Sequence, residues 1–149
     1  KGLCLRDEVL GRGGWSIVQR GDLSGCAVAV KTFNQQVLRD VEQKLLQERF
    51  LREVKALKTI GTRAPGSRDG FFVQLLGYSK CEGCPGPASD ERFYTILELG
   101  QQRLDQCLAK RQLSCGEVGH NFGDIARSLL SALHHLHSQG LVHMDVKPE

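Results

Sequence analysis

The sequence lacks any stretch that would cross a membrane as a helix. Hydrophobic residues make up 40% of its 149 residues, but no apolar run approaches the roughly 20 residues that a membrane-spanning helix needs. A charged-then-apolar leader of the secretory kind is also missing. Since the first residue is Lys1 rather than methionine, we expect further residues before it and make no prediction about targeting.

A concentrated charge of one sign is missing as well. The 20 lysine and arginine residues against 17 aspartate and glutamate residues give a net charge of +3, and the two signs are interspersed. Because there is no polybasic arm, we predict neither nucleic acid nor an anionic membrane as a partner. The composition, with 25% charged residues and no internal repeat, is typical of one globular domain with its own core.

The cysteines do not form an obvious disulfide framework. Three of the six fall in segments with strand or helix patterns, and the core is large enough without cross-links. We therefore expect reduced thiols in an intracellular protein, cytoplasmic or nuclear. Cys81 and Cys84 have zinc-knuckle spacing, but a structural zinc needs four ligands and no second pair completes the site. We interpret that segment as a plain loop. The six positions are Cys4, Cys26, Cys81, Cys84, Cys107 and Cys115.

Residues 9–21 place a glycine cluster between apolar residues, which predicts strand, tight turn, strand. Gly11 and Gly13 precede Val18, and glycines in such a turn let backbone amides approach phosphate oxygens. A nucleotide P-loop would need Gly-Lys-Ser or Gly-Lys-Thr, which the sequence lacks, and a dinucleotide fold would need a helix next. An ordinary glycine-rich hairpin turn remains the alternative.

The apolar, β-branched run over residues 26–33 contains a single lysine, Lys31. A mostly buried strand would normally exclude this charge, so Lys31 requires an anionic partner. A lysine at a strand end in water is the alternative.

Helical geometry suggests the partner. Residues 40–59 contain no proline or glycine, and apolar residues recur at three- and four-residue steps, which predicts an amphipathic helix. Glu53 falls within the apolar stripe, whereas Glu48 lies on the opposite face. Glu42 shares the angular position of Glu53 but lies near the helix N-terminus, where the dipole favours a carboxylate. We predict that Lys31 pairs with Glu53, because a carboxylate in an apolar face is costly unless paired.

The rest of the pattern is strand-rich and then helical. Residues 71–78 and 93–100 are predicted strands separated by a loop, and residues 61–70 form another loop. A short helix is predicted over 104–108, and a capping box at Ser114 and Glu117 starts a helix that reaches Ser138 and stops at Gly140. Three histidines crowd that helix end, where helix-terminal or packing roles are favoured over a metal cluster. This order indicates an α+β fold.

The last segment, residues 143–149, holds a histidine, a carboxylate and a lysine close together. In phosphoryl transfer a carboxylate orients a hydroxyl nucleophile and an ammonium neutralises phosphate. The segment resembles the catalytic loop of protein kinases, His-Arg-Asp followed by Leu-Lys-Pro-Glu-Asn. Met144 replaces the arginine, so the resemblance predicts no pairing of that position with a phosphorylated activation loop.

The upstream motifs resemble the same family in the same order. Ser16 stands at the third glycine of the kinase glycine-rich loop, and Lys31 ends a run similar to the third-strand Val-Ala-Ile-Lys. The pair of Lys31 and Glu53 resembles the kinase ion pair between that lysine and helix C. The resemblance implies a five-stranded antiparallel sheet with one helix and a hinge over residues 1–102. Over residues 103–149 it implies the first helices of an α-helical lobe that is cut within the catalytic loop.

The resemblance also implies the site residues. Leu97 would be the gatekeeper beside the adenine pocket, Glu98 and Gly100 would bond the adenine edge through their backbone, and Asp105 would lie near the ribose. The residues implied in ATP binding are Leu10, Gly11, Arg12, Gly13, Gly14, Ser16, Val18, Ala29, Lys31, Leu97, Glu98, Gly100 and Asp105.

The implied activity is ATP-dependent transfer to protein serine and threonine hydroxyls. Asp145 would orient the substrate hydroxyl, while Lys147 and Lys31 would stabilise phosphate charge and Mg²⁺ would bridge the phosphates. Lys147, two residues after Asp145, favours the serine/threonine class. No metal ligand is predicted within these residues, since the metal-holding asparagine and the Asp-Phe-Gly segment would follow residue 149. We therefore expect residues 1–149 alone to be inactive. A pseudokinase or scaffold, and a small-molecule kinase, remain alternatives.

Overall fold

The computed structural model describes residues 2–33, 40–61, 72–101, 103–104, 106 and 122–146. The chain divides into two compact units. One combines residues 1–62 with 73–99, and the other combines residues 63–72 with 100–149.

The first unit is built on a five-stranded antiparallel sheet and one long helix. In the order of the sheet, the strands are β1 (Leu3–Arg12), β2 (Ser16–Leu23), β3 (Cys26–Phe33), β7 (Tyr94–Glu98) and β4 (Leu75–Tyr78). All four neighbouring pairs are antiparallel. This confirms the predicted α+β class with one helix on a five-stranded sheet. The helix is α1 (Asp40–Ile60).

The core of this unit lies on both faces of the sheet because strand side chains alternate. On one face, Phe33 of β3 and Phe93 pack against Phe50 of α1, with ring centroids 5.7 and 5.1 Å from that of Phe50. Leu46 and Val54, one turn to either side of Phe50, complete this cluster. The apolar stripe predicted for residues 40–59 therefore faces the sheet. The opposite face carries a second cluster of Val28, Val30 and Ile96.

Strand β4 is shorter than the strand predicted over residues 71–78, because it begins at Leu75. Phe72 belongs to the second unit, where its ring lies 5.8 Å from that of His135. Gln74 is bonded to Glu98 through its backbone, accepting from the Glu98 amide at 2.9 Å and donating to the Glu98 carboxylate at 3.2 Å. The backbone of this segment is therefore bonded to the sheet from Gln74 onward. Residue 71 lies outside the described residues.

The loop predicted around Cys81 and Cys84 contains a hairpin of its own. Its strands are β5 (Lys80–Cys81) and β6 (Cys84–Pro85). Glu82 and Gly83 between them have φ values of 51° and 83°, which is the conformation of a two-residue type I′ turn. The interpretation as a plain loop was therefore wrong for these six residues.

The second unit contains helix α2 (Phe122–Ser138). The helix ends where the sequence predicts, because Gly140 adopts a left-handed φ of 69°. The amide of Gly140 donates to the His137 carbonyl at 3.0 Å, and that of Leu141 donates to the Leu136 carbonyl at 2.9 Å. These two bonds form a Schellman motif. The capping box at Ser114 and Glu117 and most of the helix predicted over 104–108 lie outside the described residues. None of the helices in the described part of the chain has the length and apolarity to span a bilayer.

Candidate functional site

A row of residues crosses the middle of the sheet. Val18 on β2 lies directly opposite Lys31 on β3, and Lys31 lies opposite Thr95 on β7. Ala29 and Leu97 form the neighbouring row. Residues opposite each other, or two apart on one strand, point to the same face of a sheet. Phe33, two residues after Lys31, packs on α1, so all five side chains lie on the face that α1 covers.

Lys31 and Glu53 form an ion pair on this face. The distance between Lys31 Nζ and Glu53 Oε2 is 2.5 Å, and their side chains are only 27% and 26% exposed. Helix α1 positions Glu53 at the edge of its buried stripe, next to Val54, which is 2% exposed. The predicted pairing of Lys31 with Glu53 is therefore present. It fixes an ammonium group where it has little contact with water, a setting in which charge interactions are strengthened.

The other carboxylates of α1 differ from Glu53. Glu48 is exposed and lies 4.0 Å from Arg52 in an i, i+4 pair, as expected for the face opposite the stripe. Glu42 lies in the first turn of α1, and its side chain is outside the described part of the structure.

The glycine cluster forms the tight turn between β1 and β2. The Gly13 amide donates to the Ser16 carbonyl at 2.8 Å and closes the turn. A Cβ atom added to Gly11 or Gly14 would meet nothing within 4 Å, so the backbone is bare on that side. Arg12, Gly13 and Gly14 are exposed, whereas Leu10, Gly11 and Ser16 are partly buried. Such a turn offers amide groups that can approach an anion closely.

Two features of this face were not predicted from the sequence. The Arg49 guanidinium carbon lies 4.4 Å from the centroid of the Trp15 ring, which joins the tip of the glycine turn to α1. Thr95 is fully buried, and its hydroxyl has no hydrogen-bond partner. The position of Arg49 could have been inferred from the sequence, because Arg49 precedes Glu53 by one helical turn and therefore lies on the same side of α1. The second depends on the long-range pairing of β7 with β3.

The C-terminal end of β7 leads into the segment expected to act as a hinge. The amide of Glu98 donates to the Gln74 carbonyl within the sheet, so any adenine contact from Glu98 falls to its carbonyl oxygen. Gly100 is exposed and Leu97 is partly buried.

The second unit carries the segment around Asp145. The Asp145 amide donates to His143 Nδ1 at 3.2 Å, so this nitrogen acts as an acceptor. His143 and Asp145 are exposed, and Met144 between them is 90% exposed. Lys147 and Asp105, also predicted as site residues, lie outside the described residues.

The histidines near the end of α2 are exposed, and the His135 ring packs against Phe72. Within the ranges that the structure describes, no three histidine, cysteine, aspartate or glutamate side chains are grouped as metal ligands would be.

The family model of the protein kinase domain matches residues 5–149 of the chain. The chain belongs to the protein kinase domain family. Among curated kinases it is 31% identical over 149 residues to MAP kinase-interacting serine/threonine-protein kinase 1 of Xenopus laevis, a match that covers 97% of this chain and 30% of that protein.

Two further kinases match with similar coverage of the chain. A probable myosin light chain kinase of Dictyostelium discoideum is 27% identical over 144 residues, covering 94% of this chain and 31% of that kinase. A Wee1-like protein kinase of Arabidopsis thaliana is 28% identical over 127 residues, covering 85% of this chain and 21% of that kinase. The chain thus spans less than a third of the length of these kinases.

Proposed function

We propose that the protein containing this chain transfers the γ-phosphoryl group of ATP to serine and threonine hydroxyls of protein substrates. The observation that carries the proposal is the bond between Lys31 and Glu53 on the sheet face that also bears Val18, Ala29 and Leu97. A lysine held by a carboxylate and flanked by apolar side chains suits a ligand that joins phosphates to a flat, largely apolar ring.

The side-chain and backbone groups of the first unit fit a nucleoside triphosphate. Lys31 supplies a positioned ammonium for the α- and β-phosphates, and Glu53 keeps it extended. The turn at residues 11–16 supplies backbone amides, and at Gly11 and Gly14 an added Cβ would meet nothing within 4 Å. Val18, Ala29 and Leu97 supply the apolar surface for the adenine ring. Bound ATP, together with Mg²⁺, would supply the transferable phosphoryl group.

In the second unit, we assign to Asp145 the role of orienting the substrate hydroxyl and accepting its proton. The exposure of Asp145 suits contact with a macromolecular substrate. We assign to Lys147 the neutralisation of phosphate charge and to Asp105 a contact with the ribose. The serine/threonine preference is supported by Lys147 and by the similarity to the Xenopus relative, which is named as a serine/threonine-protein kinase.

Nucleotide binding tests the role of the ion pair. Glu53→Gln should weaken binding of Mg·ATP to the chain about tenfold, measured by calorimetry, because the ammonium loses its charged partner. Glu48→Gln is the matched control, since Glu48 lies on the same helix but is exposed and pairs with exposed Arg52. Equal binding by both variants would contradict the proposed site.

Transfer tests the reaction itself. The protein containing this chain should phosphorylate a protein mixture at serine and threonine, as shown by phosphoamino acid analysis. Asp145→Asn should lower the rate at least about a hundredfold while leaving ATP binding intact. ATP binding without transfer in the wild type would instead favour a pseudokinase, and phosphotyrosine in the products would overturn the assigned specificity.

A further inference from the structure

The hairpin of β5 and β6 brings two cysteines face to face. Cys81 is paired directly with Cys84 in the register of these strands, and Lys80 is paired with Pro85. Both thiols are free and exposed. The type I′ turn at Glu82 and Gly83 fixes this register, because its twist matches that of the strands it connects.

We propose that Cys81 and Cys84 form a thiol–disulfide exchange site that closes a disulfide within the hairpin on reaction with a low-molecular-weight disulfide. Residues directly opposite in an antiparallel pair have Cα atoms about 4.5 to 5.5 Å apart. Unstrained disulfides join Cα atoms about 4.4 to 6.8 Å apart. The hairpin therefore places the Cα atoms of Cys81 and Cys84 at a separation that a disulfide can span. This inference is independent of the proposed kinase activity.

The ends of the hairpin are anchored to the main sheet through Ser79, which is 1% exposed. Ser79 donates its amide to the Tyr94 carbonyl at 2.9 Å, and its hydroxyl accepts from the Tyr94 amide at 3.1 Å. The Gly86 amide donates to the Ser79 carbonyl at 3.1 Å. Gly86 also passes so close to Cys81 that an added Cβ would lie 2.9 Å from the Cys81 Cβ. The two thiols are consequently held near each other before any oxidation, which raises their effective concentration.

The other described cysteines lack this arrangement. Cys4 lies on β1 opposite Asp22, and Cys26 lies on β3 opposite Leu23. Strand β2 separates them, so they are about 10 Å apart, twice the strand spacing, which exceeds the roughly 7 Å limit for a disulfide. Cys4 and Cys26 are exposed, so they serve as internal references for ordinary thiols.

A metal site is not favoured at the same pair. A structural zinc ion requires four ligands, and no group of three or more possible ligands occurs among the residues placed in the structure. Disulfide exchange needs only the two cysteines.

The reaction proceeds in two balanced steps. The thiolate of one cysteine attacks a sulfur of the disulfide RSSR, forms a mixed disulfide and releases RS⁻, which takes up a proton. The second cysteine, as a thiolate, attacks the protein sulfur of the mixed disulfide and releases the second RS⁻. The two protein thiols are oxidised, losing two hydrogens, and RSSR is reduced to two RSH.

The full chain can be equilibrated with mixtures of reduced and oxidised glutathione, alkylated with N-ethylmaleimide and digested with trypsin. Cleavage after Lys80 and Arg92 yields residues 81–92, a peptide that contains both cysteines. We expect it to lose two hydrogens and to carry neither maleimide nor glutathione. Cys4 and Cys26, on separate peptides, should carry only maleimide or one glutathione each.

The turn provides a matched pair of variants. Gly83→Ala strains the turn, since φ is 83°, but its Cβ meets nothing within 4 Å. We expect its equilibrium constant for disulfide formation to fall at least about fivefold. Gly25→Ala strains the turn between β2 and β3 in the same way, with φ 92° and open space, and should leave that constant unchanged. Glutathione on both Cys81 and Cys84 without an internal disulfide, or an equal loss in both variants, would overturn the proposal.

Discussion

The guanidinium of Arg49 lies over the ring of Trp15, with 4.4 Å between the guanidinium carbon and the ring centroid. Trp15 is at the tip of the glycine turn and Arg49 is one helical turn before Glu53. The contact therefore links the turn that we propose to hold phosphates with the helix that holds Lys31 in place. A cation over an aromatic face contributes about 0.5 to 1 kcal/mol at exposed sites.

Trp15→Ala should raise the KM for ATP about threefold with little change in kcat, because the turn loses its contact with α1 and becomes less well ordered before ATP binds. Trp15→Phe should restore part of the loss. Steady-state kinetics of the protein containing this chain provide the measurement. Arg52→Ala on the same helix is the control, since the Arg52 side chain is 83% exposed and pairs with Glu48. A similar rise in KM in this control would rule out the specific link.

The pair of Lys31 and Glu53 should show energetic coupling in urea unfolding. Lys31→Met and Glu53→Gln each leave a charged or polar group without its partner, so the double variant should be less destabilised than the sum of the two. We expect a coupling of about 1 to 2 kcal/mol. For Glu48 and Arg52, which are exposed, the same cycle should give at most about 0.5 kcal/mol. Additive effects at Lys31 and Glu53 would contradict the partly buried charge pairing.

Thr95→Val should stabilise the chain by about 1 kcal/mol, because it removes a buried hydroxyl that has no hydrogen-bond partner and keeps the shape of the side chain. The free energy of unfolding from denaturant titration measures this effect. Thr32→Val on the adjacent strand is a suitable control, since Thr32 is only partly buried. A destabilised Thr95→Val variant would show that the hydroxyl has a partner in solution.

Tyr78 should have a lower pKa than an ordinary tyrosine. A hydrogen bond from Lys58, with smaller contributions from the charges of Lys58 and Lys80, lowers the pKa of Tyr78. The folded pKa is therefore below the unfolded one, so this group adds stability above the ordinary tyrosine pKa, and the gain disappears as pH falls through the folded value.

Lys58→Met should therefore raise the pKa of Tyr78, as measured by the ultraviolet absorbance of tyrosinate. The Tyr94→Phe background leaves one tyrosine in the chain, which contains two. Lys80→Met should raise the pKa less, because its charge acts without the hydrogen bond. An equal rise of the Tyr78 pKa in Lys58→Met and Lys80→Met would contradict the larger effect assigned to the hydrogen bond from Lys58.

Strand β3 and helix α1 could be predicted closely because their signals are local. The β-branched run gave Cys26–Phe33, and the apolar stripe gave a helix that the structure extends by one residue to Ile60. Helical periodicity also identified Glu53 as the partner of Lys31. Family resemblance supplied the order of motifs, which agrees with the family match over residues 5–149.

The features that were missed depend on contacts between distant residues. The start of β4 is set by the bonds of Gln74 to Glu98. These bonds join residues far apart in the sequence, so the local hydrophobic pattern does not predict them. The burial of Thr95 depends on its pairing with Lys31 and Tyr78 on two other strands. In the hairpin of β5 and β6, Glu82 adopts a positive φ. The glycine at position 83 is the one residue whose type indicates such a turn.

The left-handed residue that ends α2 has a consequence for the segment that bears Asp145. Each additional helical residue would rotate the point of departure by about 100° and advance it by about 1.5 Å. If position 140 continued the helix for even one residue, the chain would leave α2 in a different direction, and Asp145 would be carried with it. The direction in which the carboxylate points is thus set by the handedness of a backbone unit that has no side chain.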